Sequence, residues 1–392
     1  MDALMLPLNW QRVRLGDIAE INPPTIIPNV FYYIDLENVE KGQLLNKQLM
    51  TKNKAPSRAR RLLSKNDILY QLVRPYQRNN YFFTLNGNYV ASTGYAQIRT
   101  LQNPSFLYFA LHSNYFVNAV LDRCEGTSYP AISSNELKKC EVILPPLNEQ
   151  IAIANILSDL DRYLCSLGAL ILKKESVKKA LSFELLSQRK RLKGFNQNWQ
   201  KVRIGDIAEI KRGASPRPIE NPKWFCTNSN VGWVRISDIS KNSRFLYKTA
   251  QKLSKKGIEK SRFIKQNSLI MSMCATIGKP IITKIDTCIH DGFVVFENPK
   301  IDLNYLYYFL CYIEKEWLES GQQGSQVNLN VDLIKNKEVF CPKDLNEQIA
   351  IANILSALDH EIISLKNKKR QFENIKKALN HDLMSAKIRV LK

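Results

Sequence analysis

A chain of 392 residues is too long for one ordinary core and implies two domains with connecting structure, and 44% apolar residues exclude a disordered or fibrous protein. Its 57 Lys and Arg against 36 Asp and Glu leave a formal charge of +21. Such an excess points to a polyanionic partner, most simply nucleic acid, with a lysine-rich compositional bias as the plain alternative.

The start, MDALMLPLNWQRVRLGD, has no basic region followed by an apolar core, and the most apolar run, YLYYFLCYI at residues 305–313, is too short to span a bilayer. A soluble cytoplasmic protein without a membrane partner is expected. The first clear segment is WQRVRLGDIAEI at residues 10–21, which returns as WQKVRIGDIAEI at residues 199–210 with ten of twelve positions identical. After it, INPPT begins a divergent stretch, residues 22–86, that includes the β-like run FYYIDLENV at residues 31–39. This insert carries APSRARR and VRPYQRNNYF, which interleave Arg58, Arg60, Arg61, Arg74 and Arg78 with Tyr76, Gln77, Asn79 and Asn80. Arginine forks suit guanine edges and phosphates, while Gln and Asn suit adenine edges. An ordinary surface loop is the alternative for each residue taken singly.

Next come the aromatic helical stretch SFLYFALHSNYFVNAVL at residues 105–121 and then Pro145-Pro146, which ends a strand before LNEQIAIANILS at residues 147–158. The same twelve residues reappear at 345–356. Asn148 and Asn346 read as caps of the first helical turn, and Glu149 and Glu347 as charges placed at the positive end of a helix dipole. Beyond them Ile153, Leu157, Leu160, Leu164, Leu167 and Ile171 fall at alternating spacings of four and three, matched by Ile351, Leu355, Leu358, Ile362, Leu365 and later Phe372. That is a coiled-coil seam. The outer face is basic, with nine Lys or Arg and two acids over residues 162–193, and fits either a solvated surface or DNA backbone.

The second half repeats the order with weaker echoes: Asn66-Asp67-Ile68-Leu69 against Asn267-Ser268-Leu269-Ile270, Ser92-Thr93-Gly94-Tyr95 against His290-Asp291-Gly292-Phe293, Gly126-Thr127 against Gly324-Ser325, and Lys178-Lys179-Ala180-Leu181 against Lys376-Lys377-Ala378-Leu379. Its own insert, residues 211–286, shares little with the first but is also basic, through Lys211, Arg212, Arg217, Lys256, Arg262 and Lys279. GWVRISDI (residues 232–239) and GFVVFE (292–297) are β-like, and NYLYYFLCYIEKEWL (304–318) is helical. The expected fold is α/β (α+β): two similar mixed domains at residues 1–146 and 194–344, and two long helices at 147–193 and 345–392, related by an internal pseudo-twofold repeat.

No catalytic constellation emerges. GxxxxGK[ST], HExxH and GxSxG are absent, and His112, His290, His360 and His381 have no matched partners. The eight cysteines form no CxxC pair, so buried free thiols in a reducing compartment are expected, with no metal and no cofactor. Asn22-Pro23-Pro24 is similar to the Asn-Pro-Pro-aromatic loop of amino-methyltransferases, but Thr25 stands where the aromatic belongs and no glycine-rich cofactor loop precedes it, so a simple turn is expected.

Taken together, the two W-x-x-V-x-L/I-G-D-I-A-E segments, the two Leu-Asn-Glu-Gln helix starts, the GFNQNW linker at residues 194–199 and SRARR followed by VRPYQRN resemble the specificity subunit of type I restriction-modification systems, end to end. One departure is Pro342-Lys343-Asp344, which stands where the first copy has Pro145-Pro146. The resemblance implies two target-recognition domains, each reading a few base pairs of a split double-stranded DNA site and held apart by two long antiparallel helices. Adenine methylation and cleavage then belong to methyltransferase subunits, two of them, and to helicase-nuclease restriction subunits. The helix starts, Asn148-Glu149-Gln150 and Asn346-Glu347-Gln348, become either the places where a methyltransferase touches the chain or purely structural caps. The rival reading is a stand-alone DNA-binding or scaffolding protein that has lost its methyltransferase partner.

Overall fold

In the computed structural model, which describes residues 6–242, 244–320 and 329–391, the chain forms two compact units, Met1–Ala169 with Lys366–Lys392 and Leu170–Leu365. The Gly324-Ser325 echo lies outside the described residues. No helix among the described residues is long and apolar enough to cross a membrane.

In the first unit, the repeated WQRVR segment becomes the strand Gln11–Arg14, antiparallel to Glu141–Leu144. The GDI that follows makes the short helix Leu15–Ile18. Gly16 belongs there because a Cβ would approach Lys138 Cβ to 3.1 Å, and its counterpart Gly205 meets Lys335 Cβ at 3.2 Å. Two four-stranded sheets follow. One has the strand order Gln48–Thr51, Val30–Ile34, Tyr89–Ser92, Ala59–Leu62, and the other Ala19–Ile21, Tyr95–Thr100, Ile68–Gln71, Tyr81–Phe82.

The second unit builds the same scheme from different residues. One sheet runs Gln251–Lys252, Gly232–Val234, Thr287–Ile289, Arg262–Ile264, and the other Glu209–Arg212, Phe293–Glu297, Leu269–Ser272, Pro280–Thr283, Phe245–Leu246. Each unit places its parallel pair alike: Tyr89–Ser92 beside Val30–Ile34, and Thr287–Ile289 beside Gly232–Val234. The inserts that look unrelated in sequence therefore share a strand order. A fifth strand, Phe245–Leu246, is the addition in the second unit.

Several expected runs are cut short. FYYIDLENV leaves the strand at Ile34 because Asp35 accepts a hydrogen bond from Leu36 N at 2.8 Å and caps the turn Leu36–Asn38. GWVRISDI stops at Val234, since Asp238 accepts from Arg235 N at 2.9 Å and starts the helix Ile236–Ser240. The stretch 105–121 is two helices, Pro104–Ala110 and Asn114–Leu121, the second capped by Ser113.

The long helices, Leu147–Leu186 and Leu345–Met384, start one residue before the asparagines expected to cap them. The cap position holds Pro146, whose carbonyl accepts from Gln150 N at 3.0 Å. In the second copy Asp344 is the cap, accepting from Asn346 N at 2.8 Å, which is the consequence of the Pro-Lys-Asp departure. The main core of the first unit combines Trp10, Tyr70, Phe106 and Phe116 with Ile153 and Leu157 from one long helix and Leu383 and Met384 from the other. That of the second repeats this with Trp199, Tyr305, Phe309, Ile351, Leu355, Leu185 and Leu186. Within each unit the two helix segments run antiparallel: Asp161 pairs with Lys376 in the first, and Lys178 with Asp359 at 2.5 Å in the second.

Candidate nucleic-acid interface

A cation left at a surface must either find a carboxylate or face a ligand or water, so the partners of each candidate arginine sort its role. Arg58 lies just ahead of the strand Ala59–Leu62; its guanidinium pairs with Asp35 and donates to the Tyr33 hydroxyl at 3.2 Å. The Tyr33 hydrogen bond and then the Asp35 charge raise its pKa, keeping the cation fixed. Arg60 is exposed and donates to Ser57 O at 2.8 Å. Arg61 is half-buried, and burial, with Arg60 alongside, lowers its pKa. Arg58 is tied to the turn at residues 92–94, its O accepting from Thr93 N at 2.8 Å, and Arg61 pairs with Ala91 just before that turn.

The connection between Ile68–Gln71 and Tyr81–Phe82 borders the same turn, Leu72 N donating to Gly94 O at 3.0 Å. Here Arg74 stacks its guanidinium 4.0 Å from the Tyr129 ring centre. Arg78 is spent internally, donating to His112 O at 2.9 Å and Asn114 Oδ1 at 2.7 Å, and burial lowers its pKa. Tyr76 and Gln77 are exposed, whereas Asn79 Oδ1 accepts from Lys41 N at 3.1 Å.

In the second unit the corresponding turn is His290-Asp291-Gly292, which accepts from Met273 N at 2.8 Å. Arg212 donates to Asp291 O at 2.7 Å, Arg217 reaches Asp291 Oδ2 at 3.4 Å, and Arg262 donates to Arg212 O at 2.6 Å. Asp291, also held by Ser215 Oγ at 2.8 Å, is thus the post that Arg212 and Arg217 share, with Arg262 attached through Arg212. Lys211 is not part of the group: its ammonium binds Glu297 at 2.5 Å and Glu209 at 3.2 Å, which raise its pKa. Lys256 is exposed on the short helix Lys255–Glu259, and Lys279 is half-buried at the hairpin. Guanidinium groups gathered on a turn offer hydrogen-bond donors to phosphate and base acceptors.

The helix starts are occupied from within. Glu149 is 2% exposed, accepts from Trp10 Nε1 at 3.2 Å and pairs with Arg389. Glu347 is 1% exposed, accepts from Trp199 Nε1 at 3.2 Å and pairs with Arg191 at 2.9 Å. Gln150 Nε2 donates to Pro145 O at 2.8 Å, and Gln348 Nε2 to Pro342 O at 2.9 Å. Asn148 and Asn346 are exposed, together with Leu147, Ile151, Leu345 and Ile349. Asn22 also serves the scaffold: its Nδ2 donates to Ser134 Oγ at 2.8 Å and its Oδ1 accepts from Gln97 N at 3.0 Å. Among the cysteines, Cys165 and Cys226 are exposed, against the expectation of burial.

Sequence reading missed Asp35, Gln71, Tyr129, Ser215 and the posting role of Asp291. Only the last carried a signal, as part of the echo between residues 92–95 and 290–293.

The family described as "Type I restriction modification DNA specificity domain" matches residues 7–174 and again residues 196–374. The specificity subunit of type I restriction enzyme MjaVIII from Methanocaldococcus jannaschii is 25% identical, with 100% of this chain and 95% of that one covered. The EcoprrI specificity subunit of Escherichia coli is 24% identical over 45% of each chain. Among solved structures, the HsdS subunit from Thermoanaerobacter tengcongensis covers 98% of each chain at 22% identity with a TM-score of 0.51. The S subunit from M. genitalium covers 96% of this chain and 98% of that one at 17% identity, with a TM-score of 0.61.

Proposed function

The chain belongs to the type I restriction modification DNA specificity family, and on that premise we propose how it reads its target. It is a non-catalytic DNA-recognition subunit that acts with methyltransferase and restriction subunits, in which methylation and cleavage reside. The globular parts at residues 1–146 and 194–344 each read one half of the target, and the spacer segments at residues 147–193 and 345–392 carry the long helices, which end at Leu186 and Met384. Arg58, Arg60, Arg61, Arg74, Tyr76, Gln77, Arg78 and Asn79 form or support the DNA surface of the first, and Arg212, Arg217, Arg262 and Lys279 that of the second. Lys256 adds a cation at its margin, whereas Lys211, tied to Glu209 and Glu297, adds no free charge there. What most supports this is that arginines of both units attach to the same turn of the same fold, Arg58 at residues 92–94 and Arg212 and Arg217 at residues 290–292.

Two methyltransferase subunits dock, one on each helix start. Within the twice-written LNEQIAIANILS, burial accounts for Glu149, Gln150, Ile153, Ala154 and Leu157. It does not account for Leu147, Asn148 and Ile151, which are exposed, nor for their identical counterparts Leu345, Asn346 and Ile349. The reading places the complex in the cytoplasm with the DNA it marks.

Purified chain given S-adenosylmethionine and DNA is expected to leave the DNA unmodified, and adding the methyltransferase encoded beside it should produce adenine methylation at one bipartite sequence. Methyl transfer by the isolated chain that disappears on Asn22→Ala would overturn the assignment. DNA binding with no response to the methyltransferase would favour the stand-alone binder.

A further inference from the structure

Within each unit, one hairpin connection occupies the same place in the sheet: residues 72–80 between Ile68–Gln71 and Tyr81–Phe82, and residues 273–279 between Leu269–Ser272 and Pro280–Thr283. Both are bracketed by left-handed backbone, at Arg74 (φ 53°) and Arg78 (φ 55°) in the first and at Ala275 (φ 58°) and Gly278 (φ 76°) in the second. Non-glycine residues persist there only where their surroundings enforce it, and such strain clusters at ligand sites. The enforcing contacts are those of the two arginines: Arg74 N donates to Pro130 O at 2.7 Å beneath the Tyr129 stack, and Arg78 forks onto His112 and Asn114. Arg74 and Arg78 therefore shape the loop, and the side chains it presents outward are Tyr76, 48% exposed, and Gln77.

The polarity of the Gln77 amide is set from below. Asn79 N–H donates to Gln71 Oε1 at 3.1 Å, so the other end of that buried amide, Gln71 Nε2, donates to Gln77 Oε1 at 2.9 Å. Gln71 is itself pinned, its backbone N–H donating to Asn80 Oδ1 at 2.8 Å. With its oxygen engaged, Gln77 offers its Nε2 protons. A side chain held as a donor pairs with the acceptors of the major groove, guanine O6 and N7, adenine N7 or thymine O4, and meets the cytosine amino group donor to donor. The second hairpin brings different contents to the same frame: Ile277 is buried, and a Cβ on Gly278 would come within 2.3 Å of Trp317 Cδ1.

We propose that the connection at residues 74–78 is the base-reading element of the first unit, with Gln77 donating to one base and excluding cytosine there, Tyr76 packing against a neighbouring base, and residues 275–278 holding the equivalent place in the second unit. The assignment rests on the DNA-recognition reading above. Its test uses the assembled methyltransferase complex on a duplex library randomised through the half-site. Gln77→Ala should relax preference at one position about ten-fold, leaving the other half-site unchanged. Gln77→Glu, now an acceptor, should move that position toward cytosine, and Tyr76→Ala should blunt an adjacent position. Unaltered base preference in both alanine variants would overturn the proposal, as would a uniform loss across all sequences, which marks a phosphate contact. Exchanging residues 22–86 as a block separates the two levels. If the exchange changes a half-site that Gln77→Ala leaves alone, only the loop assignment fails; if the exchange changes nothing, the recognition reading fails with it.

Discussion

A carboxylate buried as deeply as Glu347 is tolerable only while its partners stay in place, because an uncompensated charge in the interior costs several kcal/mol. Trp199 and Arg191 supply the compensation, and Trp10 and Arg389 do the same for Glu149. Arg191→Ala should destabilise the chain by about 3 kcal/mol, lowering the midpoint of chemical denaturation. Binding to the methyltransferase, measured at a temperature where the variant is folded, should be unchanged. Weakened binding by a fully folded variant would instead give Glu347 a contact with the partner. From the sequence both roles were open, since a Glu in the first turn of a helix reads equally as dipole complement and as surface charge. Only the contact with a tryptophan more than a hundred residues away decides between them. The DNA candidates were legible as basic, aromatic and amide-rich runs, but not as individuals: Lys211 and Arg78 look like free cations in sequence, and in the fold they are tied to Glu297 and to His112 and Asn114.

The long helices were the most readable elements, because a four-three apolar spacing sustained over many turns has few other solutions. Ile153, Leu157, Leu167, Ile171, Ile351, Leu355 and Ile362 of that pattern are buried. What the apolar pattern omits is the polar lock of the register. Lys178 bonds Asp359, which also accepts from the Tyr308 hydroxyl at 2.7 Å, and Lys376 with Asp161 is its counterpart in the other unit. This explains why both copies keep a lysine at the start of Lys-Lys-Ala-Leu. A double-mutant cycle with Lys178→Met and Asp359→Asn should give a coupling of about 1 kcal/mol in unfolding free energy, at the upper end for pairs this accessible. Additive effects would mean that the pair does not hold the register. The strands were less legible. The inserts diverge in sequence while preserving a strand order, because short strands buried on both faces demand mainly apolar bulk and leave the identities of their residues free.

At the scale of the whole molecule, one sequence plan is used twice, and each unit completes its core with the start of one long helix and the end of the other. Duplication was plain from the repeats. The sharing of helices between units was not, because tertiary partners of the final residues, such as Arg389 on Glu149, leave no periodic trace. A duplicated frame carrying two different basic surfaces is the arrangement expected of a protein that reads two short sequences with one architecture. The most direct measurement is therefore a genome-wide map of methylated adenines in cells whose only specificity subunit is this chain with residues 22–86 replaced by the matching stretch of a relative. One half of the methylated motif should change while the other half stays as it was. An unchanged motif, or simultaneous change in both halves, would contradict the account.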